Sequence, residues 1–213
     1  MISNRQLQVL VFTVLAALAV VLFMQGNGVP LKDFYNAFSY VVTAVAFILI
    51  LWERYLWHWW PFYPYLQKKP DLRGTWKGQL DSNYEDPDVH QRKPPIEVYI
   101  VVRQTYSIID LRLFSAESSS VSLSGGFFSD NADLYTLACT YRNTPTVLRR
   151  RKSPISHGGL LLYVRGTPIH QLDGEYWTDR NTAGEIVFTH RADEEAHDFA
   201  QAQGLKFRNA AGR

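Results

Sequence analysis

The 213-residue chain carries 22 Lys or Arg and 20 Asp or Glu, and these charges are divided unevenly along it. Residues 1–70 hold five basic and two acidic side chains, for a net charge of +3, whereas residues 71–213 hold 17 and 18, for a net charge of −1. The longer segment is large enough for one packed core, but it lacks the bulk positive charge of a polynucleotide-binding protein. The single cysteine, Cys139, is compatible with a reducing compartment.

Two apolar runs, residues 7–24 and 34–52, contain no Asp, Glu, Lys, Arg or His. Each is about as long as a helix that crosses a hydrocarbon core of roughly 30 Å, and the link between them spans only nine residues, 25–33. We therefore predict a transmembrane helical hairpin. A cleaved signal peptide is the alternative for the first run, although its apolar stretch is longer than usual. Transport pathways usually contain charges, so the hairpin is expected to anchor or to assemble, with small residues such as Thr43 and Ala44 at helix contacts.

The charges that flank the two runs predict their orientation. Arg5 precedes the first run, and Arg54, Lys68 and Lys69 follow the second, whereas the link carries one charge of each sign. Because positive flanks stay in the cytoplasm, both termini are expected there. We predict three parts: a hairpin over 1–65 with an aromatic interfacial belt over 52–65, a linker over 66–70, and a cytosolic ligand-binding domain over 71–213.

The domain from residue 71 onward alternates apolar and polar residues with a period of two, interrupted by turn residues. About eight short strands predict an all-β fold, an antiparallel barrel that is closed or nearly closed. The predicted strands are 74–82, 97–104, 107–114, 118–125, 134–141, 159–165, 169–178 and 185–190. One helix is predicted over 193–203, and we expect it to cover an open end of the barrel or to fray.

Motifs of common enzymes are absent from the sequence: it contains no Gly-rich phosphate loop, no His-Glu-x-x-His, no Cys pair and no Gly-x-Ser-x-Gly. The histidines show no spacing typical of metal ligands. We therefore predict no catalytic residue, no metal and no cofactor.

Trp76, between Gly74 and Gly78, is expected to plug one end of the barrel. The Gly-x-Trp motif at the start of this strand resembles the one that opens lipocalins, which suggests a lipid carrier as an alternative.

Candidate ligand-binding residues are those whose side chains suit phosphates or bases. The hydroxyl-rich stretch at 114–120, between two predicted strands, is either a solvated turn or a phosphate or base contact. The hairpin at 172–186 either satisfies its own backbone through Asp179 and Thr182 or forms a pocket rim that stacks a base and holds phosphate. The four cations at 149–152 either form a solvated or lipid-facing patch or steer an anionic ligand. The candidates are Ser118, Ser119, Ser120, Tyr141, Arg142, His157, Tyr176, Trp177, Thr178 and Arg180.

Taken together, the predicted hairpin, the segment 72–78, the Ser-rich turn after Phe114, His157-Gly158 before a strand and the segment 174–180 resemble one family over essentially the whole chain. The chain is similar to the two-transmembrane, β-strand-rich effectors of bacterial cyclic-oligonucleotide anti-phage signalling (CBASS). The order of these parts carries the resemblance, since none of the motifs is diagnostic alone.

The resemblance implies a function and a set of partners. In this family, a CD-NTase-type nucleotidyltransferase makes a cyclic dinucleotide on infection, and the barrel binds it. The effectors then assemble as homo-oligomers in the bacterial inner membrane, where the hairpins disrupt the lipid bilayer and cause abortive infection. Two alternatives are a membrane-tethered, lipocalin-like protein that binds lipid or haem, and a structural adaptor that recruits a cytosolic partner.

Overall fold

The computed structural model describes residues 19, 23, 31–58, 69–86, 91–129 and 134–210. The chain divides into two compact units, Met1–Tyr63 and Pro64–Arg213. Most of the first predicted span, and the part of the predicted aromatic belt from Trp59 to Tyr65, lie outside the described residues.

The first unit is helical where it is described. Helix α1 runs over Leu31–Arg54 and is followed by a 3₁₀ turn at Leu56–His58; Ala19 and Phe23 are also helical. Within α1, Val41 and Val45 are buried, whereas larger apolar side chains such as Phe47 and Ile50 are more than half exposed. Among the described residues, we found no helix that combines the length and the apolar character needed to cross a membrane.

The described residues of the second unit form eleven strands, and eight of these strands form its main wall. They are β1 Gly74–Ser82, β2 Glu85–Asp86, β3 Gln91–Arg92, β4 Ile96–Gln104, β5 Ile109–Phe114, β6 Ser118–Ser129, β7 Tyr135–Pro145, β8 Ser156–Arg165, β9 Gln171–Thr178, β10 Ala183–Ala192 and β11 Arg208–Asn209. The prediction of eight strands is confirmed, although β4, β6, β7, β8 and β10 are longer than expected and β5 and β9 begin two residues later.

The barrel closes because the first and last strands of the wall pair with each other. The wall follows the order β1-β4-β5-β6-β7-β8-β9-β10, and β1 also pairs with β10. All of these pairs are antiparallel; Gly74 faces Val102 on β4, and Ser82 faces Gly184 on β10. The closed eight-stranded antiparallel barrel is therefore confirmed. Strands β2 and β3 form a small separate hairpin, and β11 extends the sheet beside β10.

One end of the barrel is filled by its own entry segment. Trp76 is fully buried, and its indole Nε1 donates to the carbonyl oxygen of Leu72 over 2.9 Å. Gln104 Oε1 accepts from the Leu72 N–H over 2.9 Å, while Gln104 Nε2 donates to the carbonyl oxygen of Pro70 over 2.8 Å. These bonds satisfy buried polar groups, so residues 70–76 close this end, as expected for Trp76.

Two glycines beside Trp76 meet conditions that another residue would not tolerate. Gly74 has φ +106°, in the left-handed region that favours glycine. A Cβ at Gly78 would lie 2.1 Å from the carbonyl oxygen of Val187, next to the bulge between Lys77 and Gly78. Both glycines let β1 bend tightly along β10.

The predicted helix is shorter than expected and lies in a different place. Helix α2 spans only Phe199–Gly204, capped by the Asp198 carboxylate, which accepts from the Gln201 N–H. It packs on the outer wall of the barrel rather than over an open end: Ala202 and Phe199 belong to one apolar cluster with Tyr99, and the Tyr99 and Phe199 rings lie 5.5 Å apart. This packing explains why β4 is buried on both faces.

Candidate functional site

A cavity of about 230 Å³ opens at the end of the barrel opposite Trp76. Its wall comes from the strand ends near Ser82, Ile96, Ser118 and Thr178, and its rim comes from the connections between those strands. We call this opening the mouth. Among the described residues, four connections contribute to its rim: 83–86 with 91–95, 115–117, 146–155 and 179–182.

The floor of the cavity is apolar. It is formed by inward-facing side chains that alternate along the strands: Val98, Ile100, Leu111, Leu160 and Ile186. Cys139 also lies here, and burial raises the pKa of its thiol to about 12. The thiol is therefore neutral at physiological pH, and the floor suits flat or apolar groups rather than charged ones.

Two tyrosines line the cavity between floor and rim. Tyr141 on β7 and Tyr176 on β9 both face inward. Burial is the main cause that raises the pKa of both phenols above the usual value, so both remain neutral. The Tyr141 hydroxyl donates to the carbonyl oxygen of Trp177 over 3.3 Å, which leaves the aromatic ring in the wall of the cavity.

A row of hydroxyls lies on β6. Because side chains alternate along a strand, Ser118, Ser120 and Ser122 line the cavity and Ser119 does not. Ser120 Oγ donates to Asn143 Oδ1 over 3.0 Å, and Ser122 Oγ accepts from the Leu111 N–H over 2.8 Å. Hydroxyl and amide groups of this kind can donate to phosphate or base oxygens.

The connection between β9 and β10 brings Arg180 to the rim. The Thr178 and Thr182 hydroxyls share a hydrogen bond of 2.6 Å, and Thr178 Oγ1 accepts from the Arg180 N–H over 3.2 Å. Asn181 completes the turn with φ +56°. Arg180 Nη1 donates to Ser153 Oγ over 2.7 Å, so the guanidinium lies against the loop at 146–155. The turn thus satisfies its own backbone and also contributes to the rim of a pocket.

The rim carries more positive than negative charge. Lys93, Arg149, Lys152 and Arg180 line the cavity, and among the described lining residues Glu117 is the one acid. Glu117 forms ion pairs with Arg149 Nη2 at 2.8 Å and with Lys93 Nζ at 3.3 Å. An apolar floor beneath a cationic, hydroxyl-rich rim can hold a ligand that combines flat rings with phosphates.

Six of the ten candidate residues come together in the cavity. These are Ser118, Ser120, Tyr141, Tyr176, Thr178 and Arg180. The structure does not bring the other four into it. Ser119 and Arg142 belong to the outward-facing sets of β6 and β7, and His157 lies outside beside Asp179, with 3.6 Å between Nδ1 and Oδ2. Trp177 is 48% exposed, and its ring covers Gly159 on the outer wall.

Several lining residues were not among the candidates. Ser122 could have been found by continuing the two-residue period from Ser118 and Ser120, and Arg149 belongs to the cationic run that the sequence already suggested could steer an anion. Lys93 and Glu117 gave no such signal, because loops separated along the chain bring them to the mouth. Within the described residues, no group of three or more His, Cys, Asp or Glu side chains could hold a metal ion.

Comparison with known proteins identifies the fold family. The family described as "Cap15, cyclic dinucleotide receptor domain" matches residues 67–190, more than half of the chain. The chain is also similar to a protein of Staphylococcus schleiferi named CD-NTase-associated protein 15, with 28% identity over 148 residues that cover 70% of this chain and 75% of that protein. The matched region contains the barrel strands β1 to β9 and most of β10. The chain therefore belongs to the family of Cap15 cyclic dinucleotide receptor domains.

Proposed function

We propose that this protein is a membrane effector of CBASS anti-phage defence, a receptor rather than an enzyme, which a cyclic dinucleotide activates by binding in the mouth of the barrel. The observation that carries the proposal is the cavity: an apolar floor beneath a cationic and hydroxyl-rich rim, in a chain of a cyclic dinucleotide receptor family. Related members such as CD-NTase-associated protein 15 support the link to a CD-NTase-type nucleotidyltransferase.

The chemistry of the cavity fits the parts of such a ligand. A cyclic dinucleotide carries two flat bases and two phosphate diesters in one ring. The bases can stack on Tyr141 and Tyr176 above the apolar floor, and the phosphates can accept from Arg180 and from the hydroxyls of Ser118 and Ser120. A few convergent polar groups are enough for one small ligand, which agrees with a domain whose net charge is near zero.

The membrane part of the proposal rests on the first 54 residues. The two uncharged runs, 7–24 and 34–52, suit a hairpin in the inner membrane, and the exposed apolar side chains of α1 need a non-aqueous cover. Thr43 and Ala44 are also exposed on α1, where small side chains let a second helix approach closely. We propose that both termini are cytoplasmic, and the barrel with them.

Activation would follow from self-association. A hairpin without charges has no ion pathway of its own, so damage to the bilayer requires several protomers. A ligand that favours one barrel conformation or bridges two protomers shifts the population toward the assembled state, and confinement to the membrane raises the effective concentration of the protomers. The infected cell would then die before phage matures.

A lipocalin-like lipid carrier is the second candidate, because the floor of the cavity is apolar and the rim hydroxyls could hold a single carboxylate. One experiment separates the two. Full-length protein in detergent is heated with 3′,3′-cyclic dinucleotides of adenine, guanine and uracil, with the matching linear dinucleotides, and with long-chain fatty acids.

A ligand of the native state must raise the melting temperature by mass action. The proposed function predicts a shift with at least one cyclic dinucleotide and a much smaller one with its linear form. A shift with fatty acids alone would replace the proposed function by the carrier.

A further inference from the structure

The carboxylate of Glu117 holds two cations of the mouth at once. It lies 2.8 Å from Arg149 Nη2 and 3.3 Å from Lys93 Nζ, and the three side chains come from three different connections of the rim. The described lining residues offer four cations and this one acid. A carboxylate in a site for a doubly negative ligand repels that ligand, so the single acid among four cations would weaken binding if it made no other contribution.

Hydrogen bonds fix the backbone of Glu117 at the rim. Ser115 Oγ accepts from the N–H groups of Glu117 and Ser118, at 3.3 and 3.0 Å, and the Glu117 carbonyl oxygen accepts from the Thr146 N–H over 2.9 Å. The turn at 115–118 therefore fixes the backbone position from which the Glu117 side chain extends. Lys93 and Arg149 reach the carboxylate with long side chains that are 36% and 50% exposed.

We propose that the Glu117 carboxylate occupies the place of one ligand phosphate in the empty receptor, and that the cyclic dinucleotide binds by taking Lys93 and Arg149 from it. This inference rests on the proposed function and adds to it that Glu117 competes with a ligand phosphate for the same two cations. Carboxylate and phosphate diester oxygens are both charged acceptors for Lys and Arg. In the empty state the carboxylate reduces repulsion among the four cations, and it keeps Arg149 and Lys93 oriented toward the mouth.

The exchange has a functional consequence. Each bond that the phosphate gains is partly offset by the ion pair that Glu117 loses, so the affinity is lower than the cations alone would give. A receptor that triggers cell death benefits from such a threshold, because low messenger concentrations then leave it empty. The exchange also releases a contact that joins three connections of the rim, so ligand binding can change how those connections pack.

A different role for Glu117 makes the opposite prediction. If the carboxylate accepted directly from a base, its removal would weaken binding. The substitution Glu117→Gln keeps the size of the side chain and removes its charge. Glu175→Gln is the matched control, because Glu175 lies on the exposed face of β9, outside the cavity lining, and the net charge changes by the same amount.

The test is calorimetric titration of full-length protein in detergent with each 3′,3′-cyclic dinucleotide of the panel above. We expect Glu117→Gln to bind about two- to thirtyfold more tightly than the wild type, the range that corresponds to two exposed ion pairs, and Glu175→Gln to bind like the wild type. Glu117→Ser, which also removes the carboxylate, should tighten binding too and serves if the Gln variant does not fold.

A double-mutant cycle identifies the partner. In an Arg149→Gln background, Glu117→Gln should tighten binding less than it does in the wild type, because one of the two competed cations is already absent. Equal or weaker binding by Glu117→Gln, while the wild type binds, overturns the inference and leaves the proposed function intact. If the folded wild type binds no cyclic dinucleotide, the proposed function fails, and the inference fails with it.

Discussion

The indole Nε1 of Trp76 donates a hydrogen bond to the carbonyl oxygen of Leu72 over 2.9 Å, and both side chains are fully buried. The residue that fills the closed end of the barrel therefore also holds the segment that leads into it. This end of the barrel is packed and hydrogen-bonded, whereas the opposite end opens into the cavity.

Trp76→Phe should destabilise the barrel by roughly 1–3 kcal/mol, because the Leu72 carbonyl oxygen stays buried and loses its donor. Urea unfolding measures the change in the free energy of unfolding. Trp177→Phe is the control, since Trp177 is 48% exposed on the outer wall, so this substitution should cost much less stability. Equal losses for the two variants would contradict the role given to Trp76.

Asp71 makes the stability of the closed end depend on pH. Burial alone would raise the pKa of its carboxyl, but the hydrogen bonds and charge of Arg73, with the charge of Arg191, lower the pKa overall. Arg73 donates from Nε and Nη2 to the two carboxylate oxygens, over 2.9 and 2.7 Å. A folded-state pKa below the unfolded value of about 3.9 gives stability that is present above that pH and is lost as the pH falls through the folded value.

Asp71→Asn should therefore unfold at a lower urea concentration than the wild type at pH 7, and the difference should shrink below about pH 4. Urea titrations at pH 7, 5 and 3 provide the measurement. A difference that stays constant over this range would show that the charge of Asp71 does not contribute to folding.

The strands could be predicted from the sequence because apolar and polar residues alternate along them. In a strand of polar residues, however, the sequence does not show which side chains face the interior of the barrel. Ser118, Ser119 and Ser120 are chemically alike, and only the pairing of β6 with its neighbours decides that Ser119 faces outward. The same alternation separates Tyr176, in the cavity, from Trp177, on the wall.

The contacts between loops could not be predicted from the sequence pattern either. Glu117 meets Lys93 and Arg149 only because the barrel brings three connections to one mouth. The acidic stretch before α2 suggested a helix from residue 193, but Thr75 Oγ1 donates to the Glu194 carbonyl oxygen and accepts from the Ala196 N–H. Those bonds hold the segment along the barrel, so the helix begins only after Asp198.

Arg180→Ala and Trp177→Ala should separate binding from packing. Arg180 lies at the rim of the cavity, so its loss should weaken cyclic dinucleotide binding at least tenfold, about 1.4 kcal/mol, with little change in melting temperature. Trp177 covers Gly159 outside the cavity, so its loss should lower the melting temperature and leave the affinity near that of the wild type.

Calorimetry measures the affinity of the two variants for the ligand, and thermal melting measures their stability. Reduced affinity for Trp177→Ala with unchanged stability would mean that the ligand reaches the outer wall, as stacking by Trp177 would require. Unchanged affinity for Arg180→Ala would remove Arg180 from the proposed site.

The proposed orientation predicts that a reporter fused after residue 213 is on the cytoplasmic side. The basic residues Arg5, Arg54, Lys68 and Lys69 flank the two apolar runs, whereas the link between the runs is neutral. A fused cytoplasmic β-galactosidase should be active and a fused alkaline phosphatase should not. The reverse pattern would place the barrel in the periplasm, away from a cytosolic messenger.

The central claim is that occupancy of the barrel mouth switches on damage to the membrane. The most direct measurement is uptake of a membrane-impermeant dye by cells that contain the full-length protein together with a messenger-making nucleotidyltransferase, with a catalytically inactive nucleotidyltransferase as the control. We predict rapid uptake with the active enzyme, little with the inactive one, little for Arg180→Ala, and little for a barrel of residues 64–213 without the hairpin. Equal uptake with the active and the inactive enzyme, or uptake caused by the barrel alone, would contradict the account.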